Sequence, residues 1–193
     1  MNDTANLSEK QNALRELVTS QQTLLFSTAS LNGEPDLGYA PFVRDESSCF
    51  YVFISELAVH TANLLVNPQA TVMFIRSEAD SGNLFARERA VFNCSVREIN
   101  QSEDNYYRLV NSLQDQFGEI VGVLRSLADF HLFAFKPNSG RYVAGFGQAY
   151  MINSSDGSLS PLRKGHKQIS FDGLKYWREA RCNVILFKVR LKH

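Results

Sequence analysis

The sequence predicts an α+β domain that is mainly β, in which six or seven antiparallel strands form a small barrel with helices around its outside. Three observations lead to this prediction. The strand-like runs follow one another through short turns, such as Asn32-Gly33, instead of alternating with helices. Three segments have helical periodicity. The 193 residues, of which 44% are hydrophobic, are enough to bury one core.

A helix opens the chain, and strands follow it. Ser8 and Gln11 form a capping-box pattern, and Leu14, Leu17 and Val18 come next at helical spacing. Four runs rich in aliphatic and aromatic residues then predict strands, at 23–29, 38–43, 49–54 and 70–75. Because turns join the first three runs, we expect them to form an antiparallel meander.

A short helix is predicted between the third and the fourth of these strands. Ser55 is its predicted cap, and Asn67-Pro68 ends it. Four residues at helical spacing form its predicted apolar face: Leu57, His60, Leu64 and Leu65.

The second half begins with a long predicted strand at 84–96. A helix begins near Ser102 and continues to Leu127, with a break at Gly118 or Gly122. Two further strands are predicted, joined by a turn at Pro137-Asn138-Ser139-Gly140: 129–135 and 141–151.

The chain divides into three parts by its pattern. Residues 1–152 form the predicted barrel domain, and 153–170 form a segment that begins as a polar loop. Residues 171–193 form a tail whose role is open, because its apolar and basic pattern does not fit the barrel.

Composition argues against several classes of protein. Twenty basic residues balance twenty acidic ones, so we expect no nucleic-acid partner. The apolar runs are strand-length and the first residues lack a signal-peptide pattern, so we expect no membrane insertion and a cytoplasmic location. The three cysteines are far apart and form no CxxC motif, which favours idle thiols over a zinc site or disulfides.

Three histidines and one aspartate are candidates for chemistry. His166 lies in a basic segment after the last strand, where a solvated side chain is common, but a neutral imidazole there could also ligate haem iron. Asp129 opens a strand that also carries His131, and it could accept a hydrogen bond from a ligating imidazole. Structural roles are open for all of them, including a core or interface role for His60.

Two arginines and two glycines are further candidates. Arg87 and Arg89 are two apart in the predicted strand 84–96, so both would point to one face beside Phe85 and could hold phosphate or carboxylate groups. They could equally be solvated surface residues. Gly145 and Gly147 lie inside a predicted strand, where glycine favours close approach of a flat cofactor or a second subunit.

Several stretches together resemble the bacterial haem-utilisation branch of the pyridoxamine 5'-phosphate oxidase-like, FMN-binding split barrels. Each stretch is a weak motif, but their order along residues 10–170 is specific. They are Tyr39–Val43, Ile54-Ser55, His60, Asn63-Leu64, Asn67-Pro68, Leu84–Arg89, Phe117–Ile120, Asp129-Phe130, Leu132-Phe133, Gly145–Tyr150, Gly165-His166-Lys167 and Ile169-Ser170.

The resemblance implies a homodimer of split barrels that binds haem at the subunit interface and opens its ring with oxygen and an external electron donor, releasing iron. His166 would be the axial iron ligand, so 153–170 would be a haem-ligand segment. Asp129, from the same or from the other subunit, would hydrogen-bond that imidazole. Arg89 and Arg87 would lie near the haem. His60, Gly145 and Gly147 are the remaining predicted cofactor contacts.

Three alternatives remain open alongside the haem-degrading enzyme. The same site could serve a haem carrier or storage protein without turnover. The fold could bind FMN as an oxidoreductase, although the flavin-binding relatives often carry Lys or Arg around the helix that holds His60, and the histidine here makes flavin less expected. The chain could also be a cofactor-free structural or regulatory dimer.

Overall fold

A computed structural model describes residues 2–45 and 48–162. The described part contains four helices and eight strands. The helices are α1 (Asn2–Thr19), α2 (Val59–Val66), α3 (Tyr106–Phe117) and α4 (Ile120–Leu124). The strands are β1 (Thr23–Ala29), β2 (Pro35–Arg44), β3 (Phe50–Ser55), β4 (Gln69–Ile75), β5 (Arg89–Ile99), β6 (Phe130–Gly145), β7 (Gln148–Ile152) and β8 (Leu159–Pro161).

Six antiparallel strands close a barrel, which confirms the predicted fold class. The strand order is β3-β2-β1-β4-β5-β6, and β6 returns to pair with β3. Strands β7 and β8 extend the sheet beyond β6. The long strand β6 makes this possible, because residues 130–135 pair with β3 while residues 140–145 pair with β7.

The barrel interior holds the main core. Alternate residues of each strand point inward, and Phe26, Phe74 and Phe135 are among the fully buried side chains. Leu17 and its neighbours on α1 belong to the same cluster, so α1 contributes to the barrel core as its spacing predicts. A second cluster lies outside the barrel, where α3 packs through Leu109 and Leu113.

The helix prediction for the second half is confirmed and sharpened. The break falls at Gly118, with φ +84° and ψ −168°, between α3 and α4. This conformation is essentially restricted to glycine. Gly122, the other predicted position, lies inside α4.

The predicted strand 84–96 is wrong at its start. Leu84–Ala86 form a 3₁₀ helix, in which the Asn83 side chain accepts a hydrogen bond from the Phe85 backbone at 3.0 Å. A local side-chain cap of this kind competes with strand pairing. Strand β5 therefore begins only at Arg89.

The predicted turn at 137–140 is also wrong, because β6 runs through it. Pro137 fits there because neither β3 nor β7 pairs with residues 136–139, so one side of the strand is an edge. The register shifts opposite Asn93 and Cys94, which absorbs Asn138 as a bulge. The chain instead turns at Phe146-Gly147, so Gly147 (φ +72°) lies in a turn and Gly145 ends β6.

Helix α2 begins later than predicted, and its predicted apolar face is partly wrong. Leu57 is 92% exposed and precedes the helix, which starts after Ala58. The buried residues are Thr61, Asn63 and Leu64, and the Asn63 side chain donates a hydrogen bond to Thr28 Oγ1 at 3.1 Å. None of the helices within the described ranges is both long and apolar enough to cross a bilayer.

Candidate functional site

One outer surface of the sheet carries an in-register row of residues across six strands. In ladder order these are Tyr39, Leu25, Met73, Val91, Arg141 and Met151. The next row adds Ile75, Arg89 and Val143. We call these nine residues the open face.

The open face is mainly apolar, and none of its nine residues is buried. Neither the interior cluster, which includes α1, nor the outer cluster, which includes α3, contains any of its nine residues. Tyr39 is 62% exposed, and Arg141 is exposed as well. A contiguous apolar surface of this kind is typical of a ligand or protein contact.

Arg89 lies on the open face, but Arg87 does not share its strand as the sequence predicted. Arg87 follows the 3₁₀ helix, and its guanidinium is directed to the loop before β5: Nε donates to the Arg76 carbonyl at 2.6 Å and Nη1 pairs with Glu78 at 3.1 Å. Arg89 Nη1 donates to the Arg87 carbonyl at 2.8 Å. The loop contacts therefore hold Arg87 and leave Arg89 without a carboxylate partner among the described residues.

The carboxylate of Glu88, which lies between these two arginines in the sequence, accepts hydrogen bonds from other side chains. It accepts hydrogen bonds from the Tyr142 hydroxyl and from Arg76 Nε. Burial and this carboxylate raise the pKa of Tyr142 well above its usual range, so the phenol stays protonated. Glu88 consequently does not neutralise Arg89.

Asp129 is fixed at the point where β3 meets β6. Its Oδ2 accepts a hydrogen bond from the Ser55 hydroxyl at 2.6 Å, and its carbonyl accepts one from the Glu56 backbone at 2.8 Å. The Leu57 backbone donates to Ser55 Oγ at 3.1 Å. Ser55 was predicted to cap α2, and it holds Asp129 instead. Asp129 Oδ1 accepts no hydrogen bond from the described residues.

His131 is a structural bridge. Its Nδ1 lies 2.6 Å from Glu98 Oε1 on β5, and its Nε2 lies 2.6 Å from Glu56 Oε1 in the turn after β3. Burial lowers the pKa of His131, but hydrogen bonds and charge from the two carboxylates outweigh that effect and raise it above its ordinary value. Both ring nitrogens are engaged, which supports the structural role left open by the sequence.

His60 packs against the barrel core. Its ring meets Phe26 edge to face at 4.9 Å, and Nδ1 lies 3.6 Å from Asp36 Oδ2. Burial lowers the pKa of His60, although Asp36 partly opposes that shift. These contacts describe a partly buried histidine packed against the core, and its role toward a cofactor stays a prediction.

Gly145, Gly147 and His166 are the remaining predicted site residues. A Cβ added at Gly145 or Gly147 would meet no atom within 4 Å in the described part of the chain, so packing within the barrel does not require either glycine's lack of a side chain. His166 lies outside the described residues, as does the tail from 171.

No group of three or more His, Cys, Asp or Glu in the described ranges could hold a metal ion.

Thiol chemistry does not fit the described cysteines. Cys49 and Cys94 are both free and buried. Burial raises the pKa of Cys49, and it raises the pKa of Cys94 to about 12, so neither is a thiolate near neutral pH.

The open face was missed at the sequence level, although a signal for it exists. Outward positions of a half-buried sheet are normally polar, yet β1, β4 and β5 carry Leu25, Met73 and Val91 there. Chemically, a mainly apolar surface that carries two arginines without an ion-pair partner among the described residues suits an amphiphilic anion.

Comparison with known proteins agrees with this architecture. Residues 11–144 match the pyridoxamine 5'-phosphate oxidase family. Heme oxygenase HutZ of Vibrio cholerae is 35% identical over 158 residues, which is 81% of this chain and 89% of HutZ. The crystal structure of HutZ, there described as a heme storage protein, has a TM-score of 0.61 at 33% identity, covering 65% of this chain and 88% of HutZ. Campylobacter jejuni ChuZ has a TM-score of 0.70 at 29% identity, covering 80% of this chain and 63% of ChuZ.

Proposed function

Since this chain belongs to the pyridoxamine 5'-phosphate oxidase family, within its HutZ-like branch, we propose that it is a haem-binding protein that degrades haem oxidatively and releases the iron. One observation carries this proposal: the 35% identity to a heme oxygenase over 89% of that protein's length.

The open face supports the proposal on physical grounds. Haem is a flat, largely apolar macrocycle with two carboxylates at one edge. Val91, Val143 and Met73 offer an apolar surface of matching character, and Arg89 offers a cation for a carboxylate. The residues present therefore fit the group.

Each residue in the proposed site has a distinct task. His166 is the proposed axial ligand, because neutral imidazole is a common ligand of haem iron. Asp129 would accept the hydrogen bond from that imidazole across the subunit interface, because it precedes β6 whereas Arg89 pairs with Val143 near the other end of that strand. This bond would fix the tautomer and raise the basicity of the ligand. Ser55 occupies only one carboxylate oxygen of Asp129, so the other is available for this purpose.

The oxygen chemistry would come from the iron of the bound haem, with electrons from an external donor. The protein's own contribution is the axial ligand, the hydrogen bond behind it and an apolar surface that limits water. Arg87 would act at most through the Arg89 side chain, whose Nη1 donates to the Arg87 carbonyl.

The proposed assembly is a homodimer with haem between the subunits, as the resemblance to the haem-utilisation branch implies. The exposed apolar residues of the open face support a second copy as the covering partner. The buried free thiols of Cys49 and Cys94 suit the reducing cytoplasm, which is the proposed location.

Two second candidates each have an observation in their favour. The two descriptions of HutZ, as a heme oxygenase and as a heme storage protein, make haem storage without turnover an alternative. The family match to pyridoxamine 5'-phosphate oxidase makes FMN the alternative cofactor.

A haemin titration of the purified protein, followed by ascorbate in air, tests the proposal. We expect saturation of the Soret band at about one haem per subunit and then its loss on reduction, together with release of iron to a chelator. A Soret band that survives the reductant would instead establish storage. If haemin produces no shift and FMN binds, the flavin alternative replaces the proposal.

Two variants assign the roles in the same experiment. His166→Ala should weaken haemin binding and change the Soret spectrum, and an unchanged spectrum would remove His166 from the site. Asp129→Asn should keep haem bound but slow its loss, because an amide is a poorer acceptor for the imidazole N–H than a carboxylate. Unaltered turnover in that variant would contradict the role of Asp129.

A further inference from the structure

We propose that Arg141 binds a haem propionate, forming with Arg89 a pair of cations that holds the two carboxylates of the ligand. The inference rests on the proposed haem binding and deepens it. Arg141 was not among the residues that the sequence singled out, and it becomes visible only through the strand register.

The register places the two arginines as diagonal neighbours on the open face. Arg89 on β5 pairs with Val143 on β6, and Val91 pairs with Arg141. Residues in this relation are about 7–8 Å apart across a ladder. Haem likewise carries its two propionates as neighbours at one edge of the ring.

No carboxylate of the described residues forms an ion pair with either arginine. Within the described ranges, the arginine ion pairs are Arg76–Glu88, Arg87–Glu78 and Arg97–Glu103. The positions around Arg141 on the sheet contain no carboxylate: Val91, Asn93, Ser139, Val143, Ala149 and Met151.

Two adjacent cations on an apolar surface are unfavourable when that surface is covered, since they repel each other and lose water. An anion placed between them removes both costs. An arginine also forms paired hydrogen bonds to a carboxylate, which fixes its orientation as well as its charge. The apolar residues beside them, Val91 and Val143, would lie under the macrocycle while the propionates reach the guanidinium groups.

The test compares haemin with its dimethyl ester, in which both propionates are uncharged, on the full-length protein. Arg141→Gln should weaken haemin binding about tenfold, which is the effect of losing one hydrogen bond to a charged group, and leave the affinity for the ester unchanged. The haemin affinity of Arg141→Lys should lie between that of the wild type and that of Arg141→Gln. Arg108→Gln on α3, which removes the same charge from an exposed position away from the open face, is the matched control and should bind both ligands as the wild type does.

The other outcomes would overturn the inference, and they separate it from the proposed function. Equal affinities of Arg141→Gln and wild type for haemin would exclude a propionate contact, as would an equal loss for haemin and ester. Dissociation of the dimer by Arg141→Gln without a ligand-specific effect would make Arg141 a subunit contact. If the wild type itself binds no haemin, the proposed function fails, and this inference fails with it.

Discussion

His131 links three parts of the chain through a single side chain. Glu98 and Glu56 flank its two ring nitrogens at 2.6 Å, so the protonated ring joins β5, β6 and the turn after β3. Because the pKa of His131 is raised in the folded state, the stability from this bridge is fully present below the unfolded pKa of about 6.5. It is lost as the pH rises through the folded pKa.

A pH-dependent comparison of unfolding tests this bridge. We expect His131→Gln to lower the free energy of unfolding more at about pH 6 than at about pH 9, measured by urea denaturation against the wild type. The matched control is His60→Gln. The pKa of His60 is lowered by burial, so removing it should change the pH trend in the opposite direction. A pH-independent difference for His131→Gln would refute the bridge.

The sequence was a good guide to which residues carry chemistry and a poorer guide to what they contact. It placed Asp129 at the start of a strand, close to where β6 begins. It could not show that Ser55 donates to Asp129, because that contact spans 74 positions of the chain. It paired Arg87 with Arg89 by spacing alone, and the cap at Asn83 breaks the strand on which that spacing depended.

Among the elements, the α3–α4 corner gives the sharpest test. Gly118 has a conformation that other residues adopt only under strain of about 1–3 kcal/mol, so Gly118→Ala should destabilise the protein by that amount. Gly122 is helical, and a Cβ there would meet the flexible Gln114 side chain at an ordinary 3.4 Å. Gly122→Ala should therefore be neutral or stabilise by up to about 1 kcal/mol.

Urea denaturation followed by circular dichroism measures both variants. Destabilisation by Gly118→Ala, with no destabilisation by Gly122→Ala, would confirm that the chain turns at Gly118 and continues as a helix through Gly122. Equal destabilisation by the two substitutions would contradict the placement of the corner.

Strand prediction failed at a segment whose composition is typical of a turn but which pairs with a distant strand. Pro137-Asn138-Ser139-Gly140 has the composition of a turn, yet it continues β6. The strand can contain these residues because β6 has a partner on only one side at positions 136–139. That pairing is determined only in the assembled sheet. Runs with strong local signals, such as Thr23–Ala29, were predicted at their observed bounds.

At the scale of the whole molecule, the open face predicts a subunit interface. Tyr39→Asp places a charge at a position that is 62% exposed in one subunit, so it should leave the fold intact but weaken the proposed dimer by about 2 kcal/mol or more. Sedimentation velocity measures the change. Ile120→Asp on α4, at a residue that is 57% exposed, is the control and should leave the dimer unchanged.

Two results would contradict this interface. A dimer that persists in Tyr39→Asp with wild-type affinity would place the contact elsewhere on the surface. Equal dissociation by Ile120→Asp would show a general effect of charge.

The barrel class was predictable because local hairpins dominate the sequence, but the strand pair that closes the barrel, β3 with β6, was not. No local sequence pattern indicates that β3 pairs with β6, which lies far along the chain. The apolar outward residues of β1, β4 and β5 were also not interpretable from sequence, because a sheet covered by helices on both faces has the same pattern. Only the positions of the helices in the structure show that this face is not covered by them.

Closure between β3 and β6 also sets the order of events during synthesis. Ile54 pairs with His131, which emerges from the ribosome 77 residues later. At about 5–20 residues per second, that delay lasts roughly 4–15 s. Throughout it, one edge of the apolar strand Phe50–Ser55 has no partner, whereas β4 and β5 can pair with β1 and with each other as soon as they emerge. Nascent chains that have not yet made β6 are therefore the species most exposed to aggregation and most dependent on chaperones.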